Sequence, residues 1–214
     1  MDSILLIDKP RGITSARVVA LVKKRFKVKV GHTGTLDPLA TGLLILLCGK
    51  RTKEAGSFLR MDKTYQVRAI LGVTTTTYDV AGDTVSRCGR VVTRQEMQDA
   101  LEGFVGELQQ VPPAYSAKKI AGKKAYELAR QGMTVEIPAS TVKAYSLRLT
   151  SFDYPDFSLQ CEVSSGFYVR SLVHDLGQRL GVGATVDEVR RMRIGPYCVE
   201  DAMALEALLG EARV

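Results

Sequence analysis

The stretch from Gly31 to Gly42, GHTGTLDPLATG, constrains this chain more than any other part of it. It sets Asp37 among a histidine, threonines and glycines, with Pro38 directly behind it, and runs straight into the apolar segment Leu43 to Cys48. A proline pushes the residue before it toward extended backbone. Gly31 and Gly34 permit bends that other residues would resist, and a short unbroken apolar run reads as a buried strand. The pattern describes an acid displayed on a constrained loop at the entrance to such a strand. Ordered loops are where catalytic groups tend to sit. On local evidence alone, an Asp-Pro turn without function is the simpler reading.

The rest of the chain mixes strands and helices without strict alternation, which favours an α+β fold over a doubly wound one. Ser3 to Ile7 reads as a strand. Thr14 or Ser15 can cap a helix with Val18, Val19, Val22 and Phe26 on one face and Arg17, Lys23, Lys24 and Arg25 on the other. Tyr65, Val67, Ala69 and Leu71 alternate as on one face of a strand spanning Lys63 to Leu71. Gly72 to Gly82 reads as a threonine-rich loop. Thr93 and Glu96 have the spacing of a capping box before Met97, Ala100, Leu101 and Phe104. Strands are predicted for Val142 to Phe152 and Phe157 to Ser164, with a turn at Tyr154-Pro155-Asp156. A helix then follows Phe167-Tyr168-Val169-Arg170 and ends at Gly181. Thr185 and Glu188 have the spacing of a second capping box, which predicts another helix through Val189 and Met192. A last helix is expected from Glu200 to Leu209. A single domain over residues 1–214 is expected, with an arm inserted at about 111–140.

That arm differs in character. It carries Lys118, Lys119, Lys123, Lys124 and Arg130 interleaved with Tyr115 and Tyr126, and Lys123 to Gln131 could form a short helix stopped by Gly132. It could be a solvated loop. Basic and aromatic residues interleaved this densely favour a segment that lies on phosphates and stacks on bases. A formal net charge of +7 points the same way.

Other chemistries find little support. Cys48, Cys88, Cys161 and Cys198 form no C-x-x-C pair, so they read as reduced, mostly buried thiols of a cytoplasmic protein. His174-Asp175 looks like half of a metal phosphohydrolase pair, but the further histidines and acids such a site needs are missing, and no metal or cofactor is expected. No secretory signal is visible, and the apolar stretch around Leu39 to Cys48 is too short for a membrane span.

Taken together, the blocks IDKPRG, GHTGTLDPLATG, KTYQVRAILG, PPAYSAKKIAGKKAYELARQG, SSGFYVRSLVHDLG and VRRMRIG resemble, in order and across nearly the whole chain, a bacterial TruB-type pseudouridine synthase. The resemblance implies the pseudouridine synthase fold, a mixed and mostly antiparallel central sheet flanked by helices and loops, with the arm clamping RNA. It implies isomerisation of uridine to pseudouridine in the T loop of transfer RNA. It casts Asp37 as nucleophile, Tyr65 as the ring that stacks on the target base and relays a proton, and Arg170 as the partner of the catalytic carboxylate. It places Tyr168 and Met192 in the base pocket, Met192 where leucine is usual. His32 enters the RNA loop as the base leaves, Lys9 supports the pocket, and Lys123 and Lys124 belong to the RNA-binding arm.

Two departures stand out. The small C-terminal RNA-binding PUA domain of bacterial relatives is not expected here, and Thr76 stands where the family often has an acid. The implied partner is the T-arm stem-loop of transfer RNA, with a monomeric protein needing no protein partner. A synthase acting on another RNA stem-loop and a non-catalytic chaperone that folds transfer RNA are the alternatives. A glycoside-type hydrolase is disfavoured because no second acid has comparable context.

Overall fold

The computed structural model describes residues 2–116, 118–120, 122–129, 131 and 137–210, and they divide into two compact units: residues 1–66 with 189–214, and residues 67–188. In chain order the first unit begins with β1 (Ile4–Lys9), α1 (Ser15–Phe26), β2 (Val30–His32), β3 (Thr41–Cys48) and α2 (Ala55–Leu59). β4 (Lys63–Leu71) passes into the second unit. There follow β5 (Val73–Thr75), β6 (Thr84–Arg87), α3 (Arg94–Glu102), β7 (Gly106–Gln110), β8 (Lys119–Ile120), β9 (Lys123–Lys124), α4 (Ala125–Ala129), β10 (Ser140–Asp153), β11 (Asp156–Val163) and α5 (Val169–Arg179). β12 (Ala184–Ile194) returns to the first unit, which closes with β13 (Tyr197–Cys198), β14 (Met203–Ala204) and α6 (Leu205–Leu209). The fold is α+β, and its strand pairs are mostly antiparallel.

In the first unit β3 is the spine. Leu43 to Cys48 are fully buried, so both faces of the strand are covered. β1 and β2 pair with β3 antiparallel and β12 pairs with it parallel. Leu43, Ile45 and Leu47 point the same way and pack with Phe58, Ile194 and Val199. Each such side chain contributes roughly 1.5–3 kcal/mol on burial. Of the two candidate caps, Thr14 serves α1: its hydroxyl accepts from the Arg17 amide at 3.1 Å.

In the second unit β10 pairs antiparallel with β11 and β7, and the capping box of Thr93 and Glu96 is formed on α3. The expected burial of Val67, Ala69 and Leu71 is present. Leu172, Val173 and Leu176 of α5 are buried, as is Leu180 directly after it. Cys48 and Cys161 are buried free thiols, and burial pushes Cys161 up to about 12.

Several expectations are corrected. The helix predicted from Thr185 is the strand β12. Thr185 caps nothing; its hydroxyl lies 3.0 Å from that of Thr75, and Glu188 pairs with Arg68 at 3.2 Å. Tertiary partners thus claim both residues of the supposed capping box, and a stretch rich in β-branched residues joins a sheet instead. The final helix is confined to α6, because Met203 and Ala204 pair in parallel with Ile7 and Asp8. Of the threonine-rich loop Gly72 to Gly82, Val73–Thr75 form β5, which pairs with β6 just beyond the loop, while most of the remainder is turn as expected. Within the arm, Lys123 and Lys124 belong to the β8–β9 hairpin, and among the described residues the helix is Ala125–Ala129; the expected stop at Gly132 lies outside the described residues, as does Arg130.

Candidate active site

In the first unit the Asp37 loop is held from below through its backbone. Ser15 Oγ donates to Leu36 O and accepts from Leu36 N, both at 2.9 Å. Lys9 Nζ donates to Ile13 O at 2.8 Å, Pro10 O at 2.9 Å and Pro38 O at 3.3 Å. Gly12 N donates to Pro38 O at 2.8 Å, and Ala40 N to Asp37 O at 3.1 Å. Lys9 is wholly buried, and burial pulls its ammonium down to about 8 against the favourable charge of Asp37; Arg191 lowers it further. The KP-x-G block and the acidic loop, far apart in sequence, therefore meet here.

A second buried cation ties the ends of the same loop. Arg191 donates from Nε to Leu43 O at 2.8 Å and from a terminal nitrogen to Gly34 O at 3.1 Å. Gly42 makes this possible. At φ 97° a Cβ there would lie 2.3 Å from the Arg191 carbonyl oxygen, so any side chain would force β12 off β3. Lys63, also buried, donates to Leu59 O and Met61 O, and burial together with Arg191 brings it down to about 8, opposed by Asp62. Asp37 thus stands on a base containing buried positive charge. His32 lies on β2 opposite Leu46, Tyr65 is buried on β4, and Met192 packs half-buried against the Leu43 cluster.

In the second unit Arg170 opens α5. It donates to Thr77 O at 2.8 Å and Tyr115 O at 2.9 Å, and its guanidinium lies 3.6 Å from the Asp79 carboxylate. Asp79 in turn accepts from Thr77 Oγ1 at 2.6 Å and Ala81 N at 3.0 Å. Tyr168 is the residue directly before the helix, and the buried Gln110 carboxamide brackets its backbone, accepting from Tyr168 N at 2.7 Å and donating to Tyr168 O at 3.0 Å. Tyr78 stacks on His174, one turn after Arg170. Burial lowers His174 and pushes Asp175 up to about 6. Lys123 and Lys124 lie in register with Ile120 and Lys119 on the arm hairpin, and Lys118 Nζ donates to Pro138 O at 3.1 Å.

The sequence reading did not single out Arg191, Lys63, Asp79 or Gln110 as parts of these arrangements. The signal for Arg191 was a cation inside a stretch of strand-forming residues. Gln110 carried no signal, since nothing local tells an amide at the end of a strand from one in solvent.

Residues 21–169 match the family model for the TruB family pseudouridylate synthase N-terminal domain, and residues 170–213 that for the tRNA pseudouridylate synthase B C-terminal domain. The chain belongs to the TruB family. It is a pseudouridine synthase, an isomerase. The tRNA pseudouridine synthase B of Aquifex aeolicus is 46% identical over 98% of this chain and 74% of its own. That of Chlamydia abortus is 45% identical over 94% and 86%. Among solved structures, a chain of a Cbf5-Nop10-Gar1 complex superposes with a TM-score of 0.75 at 31% identity, over 96% of this synthase. The synthase spans about half of that chain, 53%. The pseudouridine synthase fold implied by the sequence blocks is therefore the fold of this protein. Among the described residues, no helix is long and apolar enough to cross a membrane.

Proposed function

We propose that this synthase converts uridine to pseudouridine in the T loop of transfer RNA, with Asp37 as the nucleophile. The observation that carries the reading is the Asp37 loop itself: an acid in a family-specific block, held by backbone bonds above the buried cations Lys9 and Arg191. The isomerisation breaks the bond between uracil N1 and ribose C1′ and makes one between C5 and C1′. The C5 hydrogen leaves as a proton and N1 gains one, so electrons balance within one nucleotide.

Tyr65 offers a flat face for the uracil and a hydroxyl for the proton at C5. Arg170 aims the carboxylate as a bidentate donor, and Tyr168 and Met192 wall the pocket. The base must leave the RNA stack, at a cost of a few kcal/mol, and His32 fills the place it vacates. Lys9 supports the loop, while Lys123 and Lys124 contact phosphates. The protein works as a cytoplasmic monomer on the T-arm stem-loop, as one domain with the arm as an insertion, and without metal, cofactor or protein partner.

The test is tritium release from unmodified transfer RNA labelled at uracil C5, with the product mapped by chemical probing and the assay repeated on an isolated T-arm hairpin. Pseudouridine at a single T-loop uridine in both substrates is the expected result. Modification only of other stem-loops would overturn the substrate assignment. Binding and folding of transfer RNA without tritium release would favour a chaperone.

A further inference from the structure

Tyr78 occupies the left-handed region at φ 63°, where a ring-bearing residue is disfavoured and glycine would sit without strain. What the chain gains for that conformation is a parallel stack of the Tyr78 ring on His174, with centroids 3.8 Å apart and planes 10° from parallel. The two residues that flank Tyr78 both hold Arg170, beside the Tyr115 carbonyl. Thr77 supplies a carbonyl acceptor at 2.8 Å and Asp79 a carboxylate at 3.6 Å. The turn from Thr77 to Asp79 thus grips α5 at two points one helical turn apart, by polar bonds at Arg170 and by the ring at His174. Backbone bonds from Val186 N to Tyr78 O at 3.0 Å and from Tyr78 N to Thr75 O at 3.3 Å anchor the far side of the turn. A polar grip alone leaves a turn free to pivot about the guanidinium; a second contact on the same helix removes that freedom.

We infer that Tyr78 is a positioning residue for the isomerisation: its ring, laid on His174, sets the orientation of the 77–79 turn and so the direction in which the Arg170 guanidinium is presented. The inference rests on the role proposed above for Arg170. It requires the aromatic face of Tyr78 and not its hydroxyl.

The experiment measures the single-turnover rate of pseudouridine formation in a transfer RNA transcript at saturating enzyme, and RNA affinity separately, for the full chain and its variants. Tyr78→Phe keeps the stack and should remain within about twofold of the parent. Tyr78→Gly removes the ring while suiting the backbone, and His174→Ala removes the other ring from a helix position that alanine tolerates. Each should slow the chemical step at least about tenfold with RNA affinity within about twofold, the split expected when an interaction matters only in the transition state. Because both act through one guanidinium, Tyr78→Gly added to Arg170→Lys should slow the reaction little beyond Arg170→Lys alone. Wild-type rates in Tyr78→Gly and His174→Ala, a Tyr78→Phe enzyme as slow as Tyr78→Gly, or defects that multiply in the double variant would each overturn the inference. If Arg170→Lys is slow while Tyr78→Gly is not, only the positioning role falls. If Arg170→Lys itself runs at the parental rate, the role of Arg170 falls and this inference with it.

Discussion

The Asp37 loop of the first unit and the Thr77–Asp79 turn of the second both carry an aspartate, and each is gripped by a buried cation. Their construction is opposite. The holds on the Asp37 loop described above act on backbone atoms: Ser15 on Leu36, Lys9 on Pro38, Arg191 on Gly34 and Leu43. In the second turn the carboxylate of Asp79 is itself the hub, bonded to Thr77, Ala81 and Arg170. A loop fastened by its backbone can lose its acid and keep its shape. A turn fastened by its acid cannot. That separation suits the nucleophilic role proposed for Asp37, because a reacting carboxylate must change its bonds without moving its support.

The contrast can be broken at several points. Replacing Asp37 by Asn should cut tritium release by about 10³-fold or more, with thermal stability and transfer RNA affinity close to the parent. A variant that turned over normally would remove Asp37 from the chemistry, and one that unfolded would show that its carboxylate is structural after all. Asp79→Ala should do the reverse on the stability axis and destabilise by about 2–4 kcal/mol, since it removes a carboxylate from beside a buried guanidinium and takes a side-chain acceptor from the Thr77 hydroxyl and the Ala81 amide. A loss under about 0.5 kcal/mol in urea unfolding, the scale of an ordinary surface change, would mean that the turn stands without its acid.

Lys9 sharpens the comparison through pH. Burial holds its ammonium near 8, below the ordinary 10.5. Between those values the folded chain binds fewer protons than the unfolded one. The stability Lys9 contributes is therefore complete above 10.5 and lost as pH falls through 8. Parental stability minus that of Lys9→Met should accordingly climb across this window, by at most about 1.4 kcal/mol per pH unit. A flat difference would show that the cation under Asp37 is as well solvated as one in water. The smallest effect is expected from Ser15→Ala, which leaves the Leu36 amide and carbonyl without their hydroxyl partner. About 1–2 kcal/mol of stability and a modest loss of rate should follow. Unchanged stability would mean that water replaces the hydroxyl.

How far the site was legible depended on the range of the interactions involved. The capping box of Thr93 and Glu96 was legible because both of its hydrogen bonds close within one turn. The strand Lys63 to Leu71 was legible because alternation is a local period. Thr185 and Glu188 satisfied the same local rule and were misread, because Thr75 and Arg68, more than a hundred positions away, claimed them first. Asp37, Arg170, Tyr65 and Lys9 could be named from family blocks. The work of Arg191 and Gln110 could not, since each acts through a backbone atom that sequence places far off.

By itself, then, the sequence determined the family, through blocks that stand in order along the chain, and the α+β class, the buried course of Leu43 to Cys48 and the loop that carries Asp37, because apolar periodicity, proline and glycine act over a few neighbouring residues. Only the tertiary structure decided that Ala184–Ile194 is a strand, that Lys9 lies beneath the Asp37 loop, and that Tyr78 is stacked on His174. Those outcomes depend on which distant groups compete for the same hydrogen bonds and buried space, and that competition is settled when the chain packs.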